Sequence, residues 1–187
     1  MPFQQTHISG LLIFEPTVFE DSRGYFFEAF NENSFREEGV DTRFVQDNQS
    51  KSSYGVIRGL HYQLPPYAQS KLVRVLEGRI LDVAVDIRIG SPTFGQSLAI
   101  ELSAENKKQL FIPAGFAHGF SVLSETAIVF YKCDQFYNKE YEGGIRYDDP
   151  ALRIDWQIEK RREIVSEKDL TLPLFADCKN SFEFVSR

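Results

Sequence analysis

An all-β barrel of the jelly-roll type is the fold this sequence predicts, and three observations predict it. Period-two alternation of apolar and polar residues recurs along the chain. About ten short alternating runs are separated by turn signals. The composition, with 17 Phe and 8 Tyr against 1 Met and 1 Trp, carries the aromatic excess of strands and binding clefts. In order, the runs cover residues 10–14, 25–30, 43–46, 56–61, 71–76, 79–88, 96–102, 109–112, 120–123 and 127–133. The clearest is 79–88, where Leu81, Val83, Val85 and Ile87 point one way and Asp82, Ala84, Asp86 and Arg88 the other, which reads as a half-buried strand. Glu77-Gly78, Gly90-Ser91-Pro92 and Pro113-Ala114-Gly115 mark turns. Strands spaced in this way close into a sandwich or barrel, for which a jelly roll is the natural closure. Helices are few: residues 31–38, stopped by Gly39, and a C-terminal appendage formed by 155–162 and 166–170. No repeat, linker or low-complexity tract divides the 187 residues, so a single domain over 1–187 is expected. Weaker patterning beyond Leu174 predicts a mobile tail.

Charge narrows the range of functions. A formal net charge of −6 argues against nucleic acid as a partner, because binding it needs a basic field. An anionic ligand must then be held by a local cluster of Arg and Lys. The N-terminus lacks a charged-then-apolar leader, and no run approaches the roughly 20 apolar residues of a membrane span, so a cytoplasmic protein without membrane contact is expected. Cys133 and Cys178 have neither disulfide-framework nor metal-ligand spacing and read as free thiols of a reducing compartment.

The chemistry-bearing residues cluster around two of the three His. His118 lies in Pro113-Ala114-Gly115-Phe116-Ala117-His118, the Pro-x-Gly-x-x-His pattern of cupin barrels, while the stretch where metal-binding cupins carry His-x-His reads His61-Tyr62-Gln63. With one imidazole missing, a three-His metal site cannot form, and no metal is expected. Two readings of the His pair stand: hydrogen-bonded core residues, or a general base with a pKa near working pH. Asp169 is either the carboxylate that orients such a base or, in Ser166-Glu167-Lys168-Asp169, part of a helix capping box. Lys71 opens an alternating strand and either faces inward or reaches solvent from the strand end. Tyr131 shares an inward face with Val129 and Ala127, as a satisfied core phenol or as a proton donor across a cleft. Arg23 and Arg58 flank glycines, where backbone crowds a ligand and a guanidinium takes phosphate oxygens in pairs. Arg58 and His61 are three apart, so a regular strand would turn them to opposite faces; a bulge at Gly59 reconciles them.

Six ordered segments resemble the dTDP-4-dehydrorhamnose 3,5-epimerase family: Asp21-Ser22-Arg23-Gly24-Tyr25-Phe26-Phe27-Glu28, Gln46-Asp47-Asn48-Gln49-Ser50, Val56-Ile57-Arg58-Gly59-Leu60-His61-Tyr62-Gln63, Pro113-Ala114-Gly115-Phe116-Ala117-His118-Gly119-Phe120, Tyr131-Lys132-Cys133 and Lys168-Asp169. The resemblance runs from about residue 5 to 175. It implies a cofactor-independent isomerase on a cupin-type jelly roll, a homodimer with a strand exchanged between subunits, and a dTDP-4-keto-6-deoxysugar substrate. By the same resemblance His61 is the base, Asp169 its partner, Tyr131 the acid on the opposite sugar face, and Lys71 the residue at the ketone oxygen. Arg23, Glu28, Gln46, Asp47, Asn48, Arg58, His118, Glu142 and Lys168 match substrate-contacting positions, and Phe19 and Tyr137 the aromatic contacts to thymidine. The departure is Asp134-Gln135, where many members carry small or amide residues. A single-position epimerase of another deoxysugar pathway uses the same residues and stays open beside the double epimerase. Beside them stand a non-catalytic sugar-nucleotide-binding cupin and a metal-dependent cupin enzyme.

Overall fold

The computed structural model describes residues 2–185. In chain order the strands are β1 (Phe3–Gln5), β2 (Leu12–Phe14), β3 (Phe19–Asp21), β4 (Gly24–Phe26), β5 (Gln46–Ser53), β6 (Val56–Gln63), β7 (Lys71–Glu77), β8 (Arg79–Asp86), β9 (Ser97–Ser103), β10 (Gln109–Ile112), β11 (Phe116–Val122), β12 (Thr126–Cys133), β13 (Glu142–Gly144) and β14 (Ile164–Val165). Two short helices, α1 (Glu32–Glu37) and α2 (Glu167–Leu170), accompany them. One sheet runs β1-β2-β10-β7-β12-β5 and the other β13-β6-β11-β8-β9, with β14 added parallel to β6; β3 and β4 form a separate hairpin. The two sheets face each other as a cupin-type jelly roll.

Three apolar layers hold the barrel. Between the sheets Val73, Val75, Ile80, Leu110, Ile112, Phe116, Phe120 and Val129 fill one end. Outside the second sheet the C-terminal segment lays Ile145, Tyr147, Leu152 and Trp156 over Ile57, Leu81, Val83 and Val85. Outside the first sheet α1 presses Phe35 onto Leu12, Phe14, Leu72 and Phe111. Asn31 caps α1 by accepting from the amides of Asn33 and Ser34.

This layering corrects the reading of residues 79–88. From Ile80 to Asp86 every residue of β8 is buried, because the apolar face lies under the C-terminal layer and the Asp82–Ala84–Asp86 face lies inside the barrel. Buried carboxylates need partners. Asp86 takes both oxygens to Arg88 (2.8 and 2.7 Å) and accepts from Ser91 and Thr93, while Asp82 meets His118.

Other boundaries move for identifiable reasons. Residues 43–46 are not a strand of their own; β5 begins at Gln46 and runs through Gln-Asp-Asn-Gln-Ser-Lys-Ser-Ser, a stretch with no apolar residue, held by eight register pairs to β12. The predicted run 25–30 stops at Phe26, and β11 starts at Phe116. The helix expected over 155–162 is absent apart from a 3₁₀ turn at Lys160–Arg162. Its backbone is diverted: Asp155 accepts from the Gln157 amide, Gln157 has φ +56°, and the Trp156 carbonyl accepts from Ser121 Oγ. The tail from 175 to 185 packs instead of trailing. Ile89 exchanges backbone bonds with Phe182 and Phe184, and the Arg88 guanidinium sits between the rings of Phe116 and Phe184. Met1, Ser186 and Arg187 of the expected single domain lie outside the described residues.

Two buried carboxylates make the fold acid-sensitive. Burial opposes the charge on Asp86, but the bonds from Arg88, Ser91 and Thr93 outweigh it and hold its pKa below the usual carboxylate value. Asp169 is lowered in the same way, with His61, the Gly59 amide and Ser166 outweighing burial. As pH falls, the unfolded chain therefore takes up protons first, so stability present above about pH 4 is withdrawn as pH drops through the folded values. The urea midpoint is expected to hold between pH 5 and 7 and to fall steadily below pH 4. Asp86→Asn should cost ~2 kcal/mol at pH 7 and flatten that acid limb; a wild-type midpoint unchanged from pH 4 to 3 would contradict this.

Candidate active site

The barrel's open end holds the His and Asp residues of interest because of one irregularity in β6. Opposite β11, His61 pairs with His118 and Arg58 with Phe120, so three steps on β6 match two on β11. The extra residue falls at Gly59–Leu60, and it turns Arg58 and His61 into the same cavity. Gly59 is required there: its φ is +126°, and a Cβ would come within 2.6 Å of Gly119 Cα.

Asp169 arrives from far along the chain. Pairing of Ile164 and Val165 with Val56 and Ile57 lays β14 beside β6 and delivers α2 under His61. Half of the capping box forms, since the Asp169 amide donates to Ser166 Oγ (3.1 Å), yet the carboxylate goes elsewhere. Its Oδ1 lies 2.8 Å from His61 Nε2, and its Oδ2 accepts from the Gly59 amide at 3.3 Å. Asp169 is 4% exposed, whereas the His61 side chain keeps 30% of its surface open. That asymmetry suits a base: the carboxylate is fixed and dry, and the imidazole's other edge is reachable.

The opposite wall comes from the other sheet. Tyr131 on β12 and Lys71 on β7 face the same cavity of about 520 Å³ as His61, with the Lys71 Nζ 5.9 Å from the Tyr131 ring centre. Burial raises the Tyr131 pKa, so the phenol is protonated at neutral pH. Burial likewise pulls Lys71 down, against the opposing pull of Cys133, Asp82 and Glu142. Arg58 and Lys168 add two further cations to this lining, against the single carboxylate of Asp169. A locally positive pocket thus sits in an acidic protein.

A second lobe of about 290 Å³ shares His61, Lys71 and Tyr131 and extends to Gln46, Asn48, Tyr137 and Glu142. Tyr137 Oη donates to Glu142 (3.1 Å), and Lys168 Nζ reaches both Glu142 oxygens at 2.7 Å. Burial works against the Glu142 charge, but Lys168 outweighs it and keeps the carboxyl below its ordinary value. Gln63 is fully engaged, its oxygen accepting from the Asn138 amide and its amide donating to Tyr67 and Phe136 carbonyls. Among the described residues no cluster of three or more His, Cys, Asp or Glu has metal-holding geometry.

The two lobes therefore gather His61, Asp169, Tyr131, Lys71, Gln46, Asn48, Arg58, His118, Tyr137, Glu142 and Lys168. Four expected residues lie elsewhere. Asp47 points to the other face of β5, as alternation between Gln46 and Asn48 demands, and is bonded to Lys132 at 3.0 Å. Phe19 and Arg23 sit on the β3–β4 hairpin, where Arg23 pairs with Asp21, and Glu28 follows it, exposed. Sequence reasoning missed Asp82, the buried partner of His118, and gave no role to Ser50, whose buried hydroxyl in the cavity wall has no partner among the described residues. An Asp at an inward position of an apolar strand was the available signal for the first.

Comparison with known proteins gives the arrangement a lineage. A family model described as dTDP-4-dehydrorhamnose 3,5-epimerase matches residues 5–177. The chain belongs to the dTDP-4-dehydrorhamnose 3,5-epimerase family. A Shigella flexneri enzyme of that description is 53% identical over 174 residues, covering 92% of this chain and 95% of its own. Among solved structures, the dTDP-4-dehydrorhamnose 3,5-epimerase of Elizabethkingia anophelis superposes with a TM-score of 0.91 at 57% identity, covering 94% and 96% of the two chains. A dTDP-6-deoxy-D-glucose-3,5-epimerase from Legionella pneumophila, solved in complex with dTDP-4-keto-L-rhamnose, has a TM-score of 0.90 at 49% identity, covering 94% and 93%. No described helix is long and apolar enough to cross a membrane.

Proposed function

We propose that this chain is a dTDP-4-dehydrorhamnose 3,5-epimerase, converting dTDP-4-dehydro-6-deoxy-D-glucose to dTDP-4-dehydro-L-rhamnose in the cytoplasm without a cofactor. The observation that carries the mechanism is the pairing of a dry, fixed Asp169 with a reachable His61, faced by a protonated Tyr131 from the opposite sheet. A proton beside a ketone is only weakly acidic, so His61 can remove it only if the electron pair moving onto the carbonyl oxygen is held. The Lys71 ammonium supplies that charge. Tyr131 then gives its proton to the far face of the same carbon, the configuration inverts, and solvent resets both residues. The second flanking carbon is presented to the same base in turn. Arg58 and Lys168 take the diphosphate, while Gln46, Asn48, His118, Tyr137 and Glu142 place the sugar and nucleoside.

The single domain is read as working in a homodimer. Phe19, Tyr25 and Phe26 on the β3–β4 hairpin are 63%, 60% and 70% exposed, more apolar surface than an isolated hairpin leaves in water without cause. A second copy's hairpin would bring Phe19, Arg23 and Glu28 to a site that lacks them within one chain.

The test is incubation with the 4-keto substrate in deuterated water, followed by proton NMR. Deuterium and inversion at carbons 3 and 5 are expected; a single inverted carbon would point to the single-position epimerase, and none would end the enzyme reading. Tyr131→Phe separates the two halves of each inversion. His61 still exchanges the proton, but inversion is expected to fall ~100-fold while deuterium still enters. Equal loss of exchange and inversion would place Tyr131 outside the protonation step.

A further inference from the structure

The barrel interior holds a second His–Asp pair that the proton-transfer steps leave unused. His118 on β11 and Asp82 on β8 are diagonal neighbours on the inward face, with Nε2 2.8 Å from Oδ1. Both side chains are sealed, at 7% and 0% exposure, yet His118 still lines the cavity beside His61 and Lys71. The second Asp82 oxygen is buried without a hydrogen-bond partner among the described residues. The second ring nitrogen of His118, Nδ1, likewise has no protein partner among them, and it is not among the sealed, unpartnered atoms.

We propose that Asp82 is a positioning residue which holds the Nε2 proton of a neutral His118, so that the bare Nδ1 accepts a hydrogen bond from a hydroxyl of the bound sugar. The inference rests on the epimerase reading of the cavity and assigns the sugar-recognising contact within it. An ionised carboxylate only accepts, so the nitrogen facing Asp82 carries a proton. The other nitrogen is then protonated only if the ring is charged. Burial lowers the His118 pKa; Asp82 opposes this, and the neighbouring charges of Lys71 and His61 lower it further. Asp82 is shared with Lys71, whose charge it also supports, so it is not free to serve a His118 cation alone. A neutral ring with an acceptor toward the sugar cannot hold a ketone or enolate oxygen, which lacks a proton to give. Recognition therefore divides: Lys71 takes the ketone oxygen, and His118 takes a hydroxyl.

Only three His are present, so ¹⁵N-histidine labelling gives a spectrum that His7, His61 and His118 variants assign completely. At pH 7 the free wild-type protein is expected to show His118 with a protonated Nε2 and an unprotonated Nδ1. In Asp82→Leu, which removes the acceptor, the proton is expected to move to Nδ1, the nitrogen that cavity water reaches. Affinity of that variant for dTDP-L-rhamnose should fall about tenfold, the worth of one hydrogen bond, with affinity for dTDP alone unchanged. A general structural role for Asp82 would weaken both ligands alike. A proton on Nδ1 in the wild type, an unchanged tautomer in Asp82→Leu, or parallel losses for the two ligands would overturn the proposal. Failure of the wild type to bind either ligand would instead count against the epimerase reading, while the tautomer measurement still decides the role of Asp82.

Discussion

His61→Ala is expected to lower turnover by ~10³- to 10⁴-fold and to stop deuterium entry at both carbons. The size follows from geometry, because the imidazole combines a 30% exposed edge with a fixed carboxylate behind it, whereas His118 of the second His–Asp pair is only 7% exposed. No neighbour can replace it. Tyr131 keeps its proton at neutral pH, and Asp169 is sealed beneath the strand. The variant also strands the Asp169 charge with the Gly59 amide, which should cost ~1–3 kcal/mol of stability. Circular dichroism and melting must therefore show a folded protein before the rate is compared. Residual exchange within tenfold of wild type in a folded His61→Ala would remove His61 from the role of base.

Lys71→Met is expected to cost ~10²- to 10³-fold in kcat, the usual worth of a preorganised group at a developing oxyanion. Methionine keeps the length and the packing of the stem, so the loss isolates the charge. The pH profile supplies a second reading of the same residue. Burial places the Lys71 pKa below that of an ordinary lysine, so the cation is lost, and the base limb of kcat is reached, below about pH 10.4. Any activity that Lys71→Arg retains should extend to higher pH, because guanidinium stays protonated. A base limb identical in Lys71→Arg and wild type would assign that limb to another group.

How much of this was legible in the sequence depends on which kind of signal each segment carries. Strands buried on one side or both announce themselves through Val, Ile and Leu, and β7, β8, β10 and β12 were readable on that basis. β5 was not, because its inward positions Gln46, Asn48 and Ser50 line a polar cavity, Ser52 accepts from the Arg58 guanidinium, and its outward ones meet solvent. A strand that serves the site loses the apolar alternation that would identify it. His61, Lys71 and Tyr131 could be nominated by chemistry and by resemblance, but their convergence depends on the Gly59 irregularity and on two different sheets. The Asp169 contact spans 108 positions and hangs on a two-residue parallel pairing, which no local pattern encodes. The diverted backbone at 155–162 shows the converse: a helix was expected, and a tertiary bond from Ser121 together with a local turn bond from the Gln157 amide to Asp155 overrode it.

The chain's one tryptophan is rooted in the outer C-terminal layer, its indole N–H donating to the Tyr147 carbonyl and its own carbonyl clasped by Ser121 on β11. Ser121 faces away from the side of β11 that presents His118 to the ligand, so the fluorophore and the reaction are separated by the thickness of one sheet. Its emission is thus an optical gauge of whether the outer layer stays docked. Quenching during a nucleotide titration would register movement of β11 itself, not contact between ligand and indole.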